Sequence, residues 1–224
     1  MTLIFGGHAF LALAPGALFW PGRRALIVAD LHLEKGSAFA ARGQMLPPYD
    51  TRETLNKLAA LIDHYQPETV IALGDSLHDR EAAARMDSRD LEALHILQED
   101  RDWIWITGNH DPEIDRALAG YVVPELTLAS ITLRHDPQPC AATHEIAGHF
   151  HPAARLVLNG TSLRRSCFVS NGLRLIVPAF GAYTGGLNIL DAAFEPLFGG
   201  DGLSVWMLGH EGLYPIAPRL LRDD

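Results

Sequence analysis

Cysteine is scarce: the chain of 224 residues has two, Cys140 and Cys167. They fit no CxxC or Cys/His zinc spacing, which excludes a disulfide framework and a zinc finger. Free thiols in a reducing compartment are the reading that remains. Basic residues are in deficit. There are 18 Lys+Arg against 27 Asp+Glu, a formal net charge of −9. Broad affinity for nucleic acid or an anionic membrane needs the opposite excess, although a local site is untouched by this argument. Long apolar runs are missing too, and none approaches about 18 residues. Met1 to Trp20 is apolar but has no basic leader, and His8 and Pro15-Gly16 interrupt it. It reads as short strands, not as a signal or membrane segment, and a cytoplasmic location is expected. No low-complexity linker or internal repeat divides the chain, so one domain over residues 1–224 is expected.

The 48% apolar and 20% charged residues are those of an ordinary globular protein. The unusual component is histidine, at 11 residues.

The first half alternates strand and helix. Arg24 to Asp30, Thr69 to Asp75 and Trp103 to Asn109 are short apolar runs, each ending in a polar residue. Apolar on both faces, they suit buried strands of a parallel or mixed sheet. Between them, Asp50 and Glu53 form a capping pattern before a helix reaching Tyr65. Ser88 to Gln98 is a second helix, and Pro112 to Leu118 a short third. After Gly120 the pattern turns to strands. Asn159-Gly160 and Asn171-Gly172 are hairpin signals, because both central positions of the favoured turn need positive φ. The whole reads as α/β followed by a β-rich half: two packed sheets with outer helices. The Met and Trp residues read as core. The apolar run Leu203 to Leu208 packs either internally or across a homodimer.

Polar residues at the carboxyl ends of α/β strands are where such sheets hold ligands. Asp30-Leu31-His32, Gly74-Asp75, Gly108-Asn109-His110-Asp111, Arg134-His135-Asp136 and Gly148-His149-Phe150-His151 all follow apolar runs. Oxygen and imidazole donors suit divalent ions such as Mn²⁺, Fe²⁺ or Zn²⁺. Asp30 and His32 are two residues apart and can face one ion, as can His149 and His151. Asp75 is the best placed carboxylate to bridge two ions, and Asn109 offers a neutral carbonyl. Two ions about 3.5–4 Å apart hold a hydroxide and clamp a phosphate for in-line attack. Glycines at 74, 108 and 148 allow tight turns that aim these side chains.

These five blocks, in this order from residue 30 to residue 151, resemble the calcineurin-like metallophosphoesterases. The resemblance implies a sandwich of two mixed β-sheets flanked by helices, in α/β/β/α layers. It implies that Asp30, His32, Asp75 and His151 hold a first metal, with Asp75 bridging. Asn109, His135 and His149 hold a second. His110 becomes the general acid to the leaving oxygen, with Asp111 orienting it. The superfamily usually has Gly-Asp-x-x-Asp in its second block, where this chain has His78.

A narrower resemblance covers nearly the whole chain. Ala29 to Lys35, Gly74 to His78, Gly148 to Pro152 and Pro178 to Gly186 are similar to the bacterial ligase-associated DNA-damage-response endonucleases. On that comparison His78 is the usual residue, while Glu34 stands where the family has glycine. It implies a manganese-dependent phosphodiesterase associated with a DNA ligase and a helicase, with DNA as substrate through that association. Alternatives are a small-molecule or protein phosphomonoesterase of the same chemistry, or a non-catalytic scaffold.

Other residues divide less sharply. His8, His64, His95, His144 and His210 read as surface or packing histidines. Lys35 and Arg42 either contact a phosphate backbone or sit in a solvated loop. His78 lies either beside the ligands or on a surface turn. Phe180 to Gly186 shapes either a substrate rim or a tight sheet corner. Arg164-Arg165 forms either a small basic patch or, the favoured reading, a solvated strand edge whose charge blocks edge pairing.

Overall fold

The computed structural model describes residues 1–139, 143–199 and 202–224. Cys140 lies outside them.

The first sheet takes its seven strands in chain order: β1 (Thr2–Phe5), β2 (His8–Leu13), β3 (Ala17–Trp20), β4 (Ala25–Val28), β5 (Thr69–Leu73), β6 (Asp102–Ile106) and β7 (Tyr121–Val123). It is antiparallel from β1 to β4 and parallel from β4 to β7. The second sheet holds β8 (Glu125–Leu128), β9 (Ile131–Arg134), β10 (His144–Ala147), β11 (Pro152–Leu158), β12 (Thr161–Ser170), β13 (Arg174–Ile176), β14 (Leu187–Asn188), β15 (Ser204–Leu208) and β16 (Leu213–Ile216). Its order is β14-β11-β12-β13-β10-β9-β8, with β15 on β12 and β16 on β15. The Leu203–Leu208 run therefore packs internally, between two strands of its own sheet.

Period-two alternation decides which residues face which layer. Along β4, Ala25 and Ile27 face the second sheet and meet Leu133, Ile146 and Phe168. Leu26 and Val28 face the other way, toward Leu55, Leu58 and Ile62 of α2 (Asp50–Tyr65; α1 is Lys35–Ala41) and Leu94 of α4 (Ser88–Gln98; α3 is Ala82–Arg85). The outer face of the second sheet covers Cys167 and Val169 with Phe194 and with Leu197 of α5 (Glu195–Phe198). Two mixed sheets thus pack face to face with helices outside, the layered sandwich expected. Among the described residues, no helix is long and apolar enough to cross a membrane.

Several local expectations need correction. Asp50 does not cap its own helix. It is the first residue of α2, and its Oδ2 accepts the Gly36 N–H at the start of α1, a helix the sequence reading missed. Pro112–Leu118 forms only one 3₁₀ turn, Arg116–Leu118, capped at its start by the Asp115 carboxylate, which accepts the Ala117 N–H. Asn159 and Gly160 both have positive φ, as the two-residue hairpin requires, but at the second hairpin only Gly172 does. There Asn171 Oδ1 binds the N–H groups of Leu173 and Arg174 and makes the turn with its side chain. Trp20, Trp103 and Trp105 are core, but Met45 is 86% exposed. Arg164 and Arg165 are both exposed on β12, as a solvated strand edge requires, and Arg164 pairs with Asp224.

Candidate metal centre

All five polar blocks leave the carboxyl ends of parallel strands. Asp30 and His32 follow β4, Asp75 follows β5, Asn109 and His110 follow β6, His135 follows β9, and His149 and His151 follow β10. The sheets lie face to face, so these ends converge on one cleft. Left-handed backbone concentrates there: Asp30, His32, Asp75, His149 and His151 all have φ between +43° and +68°. Asp and His tolerate that region better than branched residues do, but it is strained and must be held from outside.

Among the described residues the side chains form three trios: His32, His78 and His110 at the mouth, and two that each contain a carboxylate. Asp30, His32 and His151 each aim one donor atom into a space where all three lie within 4.8 Å of one another, as do Asp75, His135 and His149. In the first, His32 Nε2 is 3.3 Å from His151 Nε2, and His151 Nε2 is 3.3 Å from Asp30 Oδ1. In the second, His135 Nε2 is 3.0 Å from His149 Nδ1, 2.9 Å from Asn109 Oδ1 and 3.4 Å from Asp75 Oδ2. Asp75 Oδ2 also lies 3.9 Å from His32 Nε2 and so reaches toward both trios.

These separations fit divalent cations. Ligands about 2.1 Å from an ion and at right angles stand about 3 Å apart. Facing imidazole nitrogens can share at most one proton, whereas an ion between them satisfies both lone pairs. Asp30 is fully buried and Asp75 nearly so, and carboxylates so placed need a positive partner. Orientation is set from behind. His135 Nδ1–H donates to the Leu73 carbonyl at 2.9 Å, which turns Nε2 toward the cleft. The His149 N–H donates to the Asp30 carboxylate. The glycines work differently from the tight turns expected. Gly74 does turn, at φ +77°, but Gly108 and Gly148 have no positive φ. A Cβ on Gly108 would sit 2.2 Å from Asp75 Oδ1, and one on Gly148 would sit 2.7 Å from Asp30 Oδ2. Both glycines make room for a carboxylate.

Electrostatics follow from this crowding. Burial, with His151 beside it, drives the His32 imidazole down to about 2. Burial and the neighbouring His135 lower His149. Burial also pulls on His135, but its bond to Asp75 and the charges of Asp30 and Asp75 outweigh it and raise the imidazole to about 9. Asp75 answers in kind. Burial pushes its carboxyl up, but the His135 bond and the His110 amide hold it at about 2.

His110 stands at the mouth with its side chain 40% exposed. Its Nδ1 bonds to the His78 carbonyl at 2.7 Å, and its Nε2 lies 4.0 Å from Asp75 Oδ2. The His78 carbonyl thus does the orienting that the sequence reading gave to Asp111. The Asp111 carboxylate, fully buried, instead accepts the N–H groups of Asp75, Ser76, Leu77 and Gly108. Burial pushes its carboxyl up to about 6 against the pull of those amides. His78 is buried beside the ligands, stacked on His110 at 5.3 Å, with its Nδ1 3.4 Å from His32 Nδ1. Lys35 lines the same cavity of about 220 Å³, while Arg42 is exposed. None of His8, His64, His95, His144 and His210 is buried, and none lines the cavity.

A model of the family described as calcineurin-like phosphoesterase matches residues 23–211. The chain belongs to the calcineurin-like phosphoesterase family. Family members use a dinuclear metal centre, and this chain is a metal-dependent phosphoester hydrolase. Among solved structures it is similar to the Pseudomonas putida nuclease MPE, at 31% identity and TM-score 0.75, covering 96% of this chain and 99% of that one. It also matches YfcE, a phosphoesterase from E. coli, at 15% identity and TM-score 0.42, over 86% of this chain and 92% of that one. A search of curated proteins gave no match.

Proposed function

We propose that this phosphoesterase is a phosphodiesterase that cuts DNA as a repair-associated endonuclease, with two Mn²⁺ ions as its cofactor. One observation carries the reading: two donor trios adjoin through Asp75, beside an exposed, oriented His110, in a chain that is 31% identical to a nuclease over 99% of its length. Asp30, His32 and His151 would hold the first ion, His135, His149 and Asn109 would hold the second, and Asp75 would serve both. Bound there, the ions would activate water and offset the phosphate's negative charge.

The chain's own residues supply the rest. The His78 carbonyl holds the Nδ1–H of His110, so a proton on Nε2 points into the cleft, within reach of a leaving oxygen. Lys35 brings a cation to the cavity wall. With the ions bound, the cleft attracts phosphate although the chain carries −9 overall. DNA contact is then local, which suits an enzyme delivered by a DNA ligase and a helicase in the cytoplasm.

The test is a panel of aryl monoester, aryl diester, cyclic nucleotide, single-stranded DNA and duplex DNA, given to dialysed protein with and without Mn²⁺. Diester and DNA cleavage restored by Mn²⁺, with steep salt dependence on DNA, is the expected result. Strong monoester preference would replace this reading with a phosphomonoesterase. No turnover of any substrate with two ions bound would leave the scaffold.

A further inference from the structure

The segment from Pro178 to Leu187 is bolted to the first trio at both ends. The Phe180 N–H donates to the Ala29 carbonyl at 2.9 Å, and the Gly181 N–H to the Asp30 carbonyl at 3.2 Å. At the far end the Leu187 N–H donates to the His151 carbonyl at 3.0 Å. The fit is too close for a side chain at either point. A Cβ on Gly181 would lie 2.2 Å from the Leu31 carbonyl oxygen, and one on Gly186 would lie 2.7 Å from that of His151. The strap therefore spans the two chain segments that deliver Asp30, His32 and His151. Those three residues sit at φ +52°, +43° and +45°, conformations that persist only when neighbours enforce them.

Helix α2 holds the strap. Thr54 and Lys57, three residues apart, share one face. Thr54 Oγ1 accepts the Ala182 N–H at 3.0 Å. Lys57 donates to the Phe180 carbonyl and lies 4.6 Å from the centre of the fully buried Phe180 ring. Among the described residues, no carboxylate forms an ion pair with Lys57, and burial lowers its pKa. A largely desolvated ammonium spent on one carbonyl and one ring face is a costly arrangement. Its consequence is to fix the Phe180–Gly181 peptide, whose N–H grips Asp30, next to the Phe180 N–H that grips Ala29. The strap makes no such bonds to Asn109 or His135, and the latter is anchored instead by the Leu73 carbonyl.

We propose that Lys57 and Thr54 are positioning residues for the first ion, acting through the Pro178–Leu187 strap; this rests on the dinuclear reading above. Loss of either loosens Asp30 and His151 directly, and reaches the second ion's ligands only through the His149 N–H bond to Asp30, so the first ion suffers more.

The experiment titrates the metal-free full chain with Mn²⁺ by calorimetry and by electron paramagnetic resonance. Wild type takes two ions and gives the many-line signal of a coupled pair. Lys57→Met loses about tenfold or more in affinity at one site, a usual effect for a ligand-supporting group. Its signal collapses to the six lines of a single ion, and Lys57→Arg, which can still donate to the carbonyl and lie on the ring, restores the pair. Two ions bound by Lys57→Met at wild-type affinity overturn the inference, as does an equal loss at both sites. If Lys57→Met does not fold, Thr54→Val is read by the same two outcomes. Fewer than two ions on wild type overturn the dinuclear reading itself, and the inference with it.

Discussion

The carboxylate of Asp111 accepts the backbone N–H of Asp75 at 3.0 Å. In return, Asp75 Oδ1 accepts the backbone N–H of His110 at 2.9 Å. The loops after β5 and β6 are thus tied by two acids, each holding backbone of the other's loop. Asp111 also takes the N–H groups of Ser76, Leu77 and Gly108. Asp111→Ala leaves these donors without a partner, and each orphaned buried group costs about 1–3 kcal/mol. We expect a loss of about 3 kcal/mol or more in urea unfolding, and an intermediate loss for Asp111→Asn, which keeps one acceptor. Mn²⁺ affinity should fall in the Asn variant, because the loop that aims Asp75 is slackened. A variant within about 0.5 kcal/mol of wild type would show that the brace is dispensable.

His110→Ala separates acid catalysis from metal binding. Its imidazole is held by the His78 carbonyl and belongs to neither carboxylate-containing trio, only to the all-histidine one with His32 and His78. Two bound Mn²⁺ ions should therefore remain. A general acid contributes about 10²–10⁴-fold, and its loss matters most when the leaving oxygen is basic. The rate on an alkyl or nucleotide diester should fall by that range, and the rate on a p-nitrophenyl diester by much less. Equal loss on both would move His110 from proton donor to substrate positioning.

Chelation should expose a pH dependence that the ions conceal. In the metal-free protein the His135 imidazole is raised from 6.5 to about 9, chiefly by Asp75 and Asp30 acting against burial. The folded state binds the proton more tightly than the unfolded state does. That contribution is complete below about pH 6.5 and is lost as pH rises through about 9. Thermal melts of chelated protein should therefore drop between pH 6.5 and 9. With Mn²⁺ bound, His135 is a neutral ligand and this decline should vanish, while metal binding below pH 9 should release protons. A chelated melt that is flat across this window would overturn the pairing of His135 with Asp75.

What could be read from the sequence was what is local. β4, β5 and β6 were legible because short apolar runs stop abruptly at Asp30, Gly74 and Gly108. The site was legible because His and Asp at strand ends have few bland explanations when five such ends recur in order. What escaped depends on partners distant in sequence. Asp50 looked like a cap for the helix it begins, but it caps α1 from 14 residues away. Asp111 looked like a partner of its neighbour His110, but its acceptors serve amides more than thirty residues upstream. Phe180 to Gly186 could be a rim or a corner. Two of its three glycines, Gly181 and Gly186, mark close approach to Leu31 and His151, contacts that only the packed sheets create.

The second sheet contains an ion pair that should behave unlike a surface one. Glu145 of β10 and Arg174 of β13 are register partners on adjacent parallel strands, with side chains 1% and 2% exposed. Arg174 Nε donates to Glu145 Oε1 at 2.7 Å, and its other nitrogens donate to the carbonyls of Leu197 and Gln138. Glu145 Oε2 accepts the Gln138 N–H and faces Arg134 Nε at 3.3 Å. Removing Glu145 leaves buried Arg174 with no carboxylate, and removing Arg174 leaves Glu145 only Arg134; breaking such a pair costs about 3–5 kcal/mol. Arg174→Met and Glu145→Leu should each lose that much in urea unfolding. The double variant should lose clearly less than their sum, because no lone charge remains. The pair also grips Gln138, three residues beyond His135, so both single variants should weaken Mn²⁺ binding at the second ion more than at the first. Additive losses in the double-mutant cycle would show that the two side chains act independently.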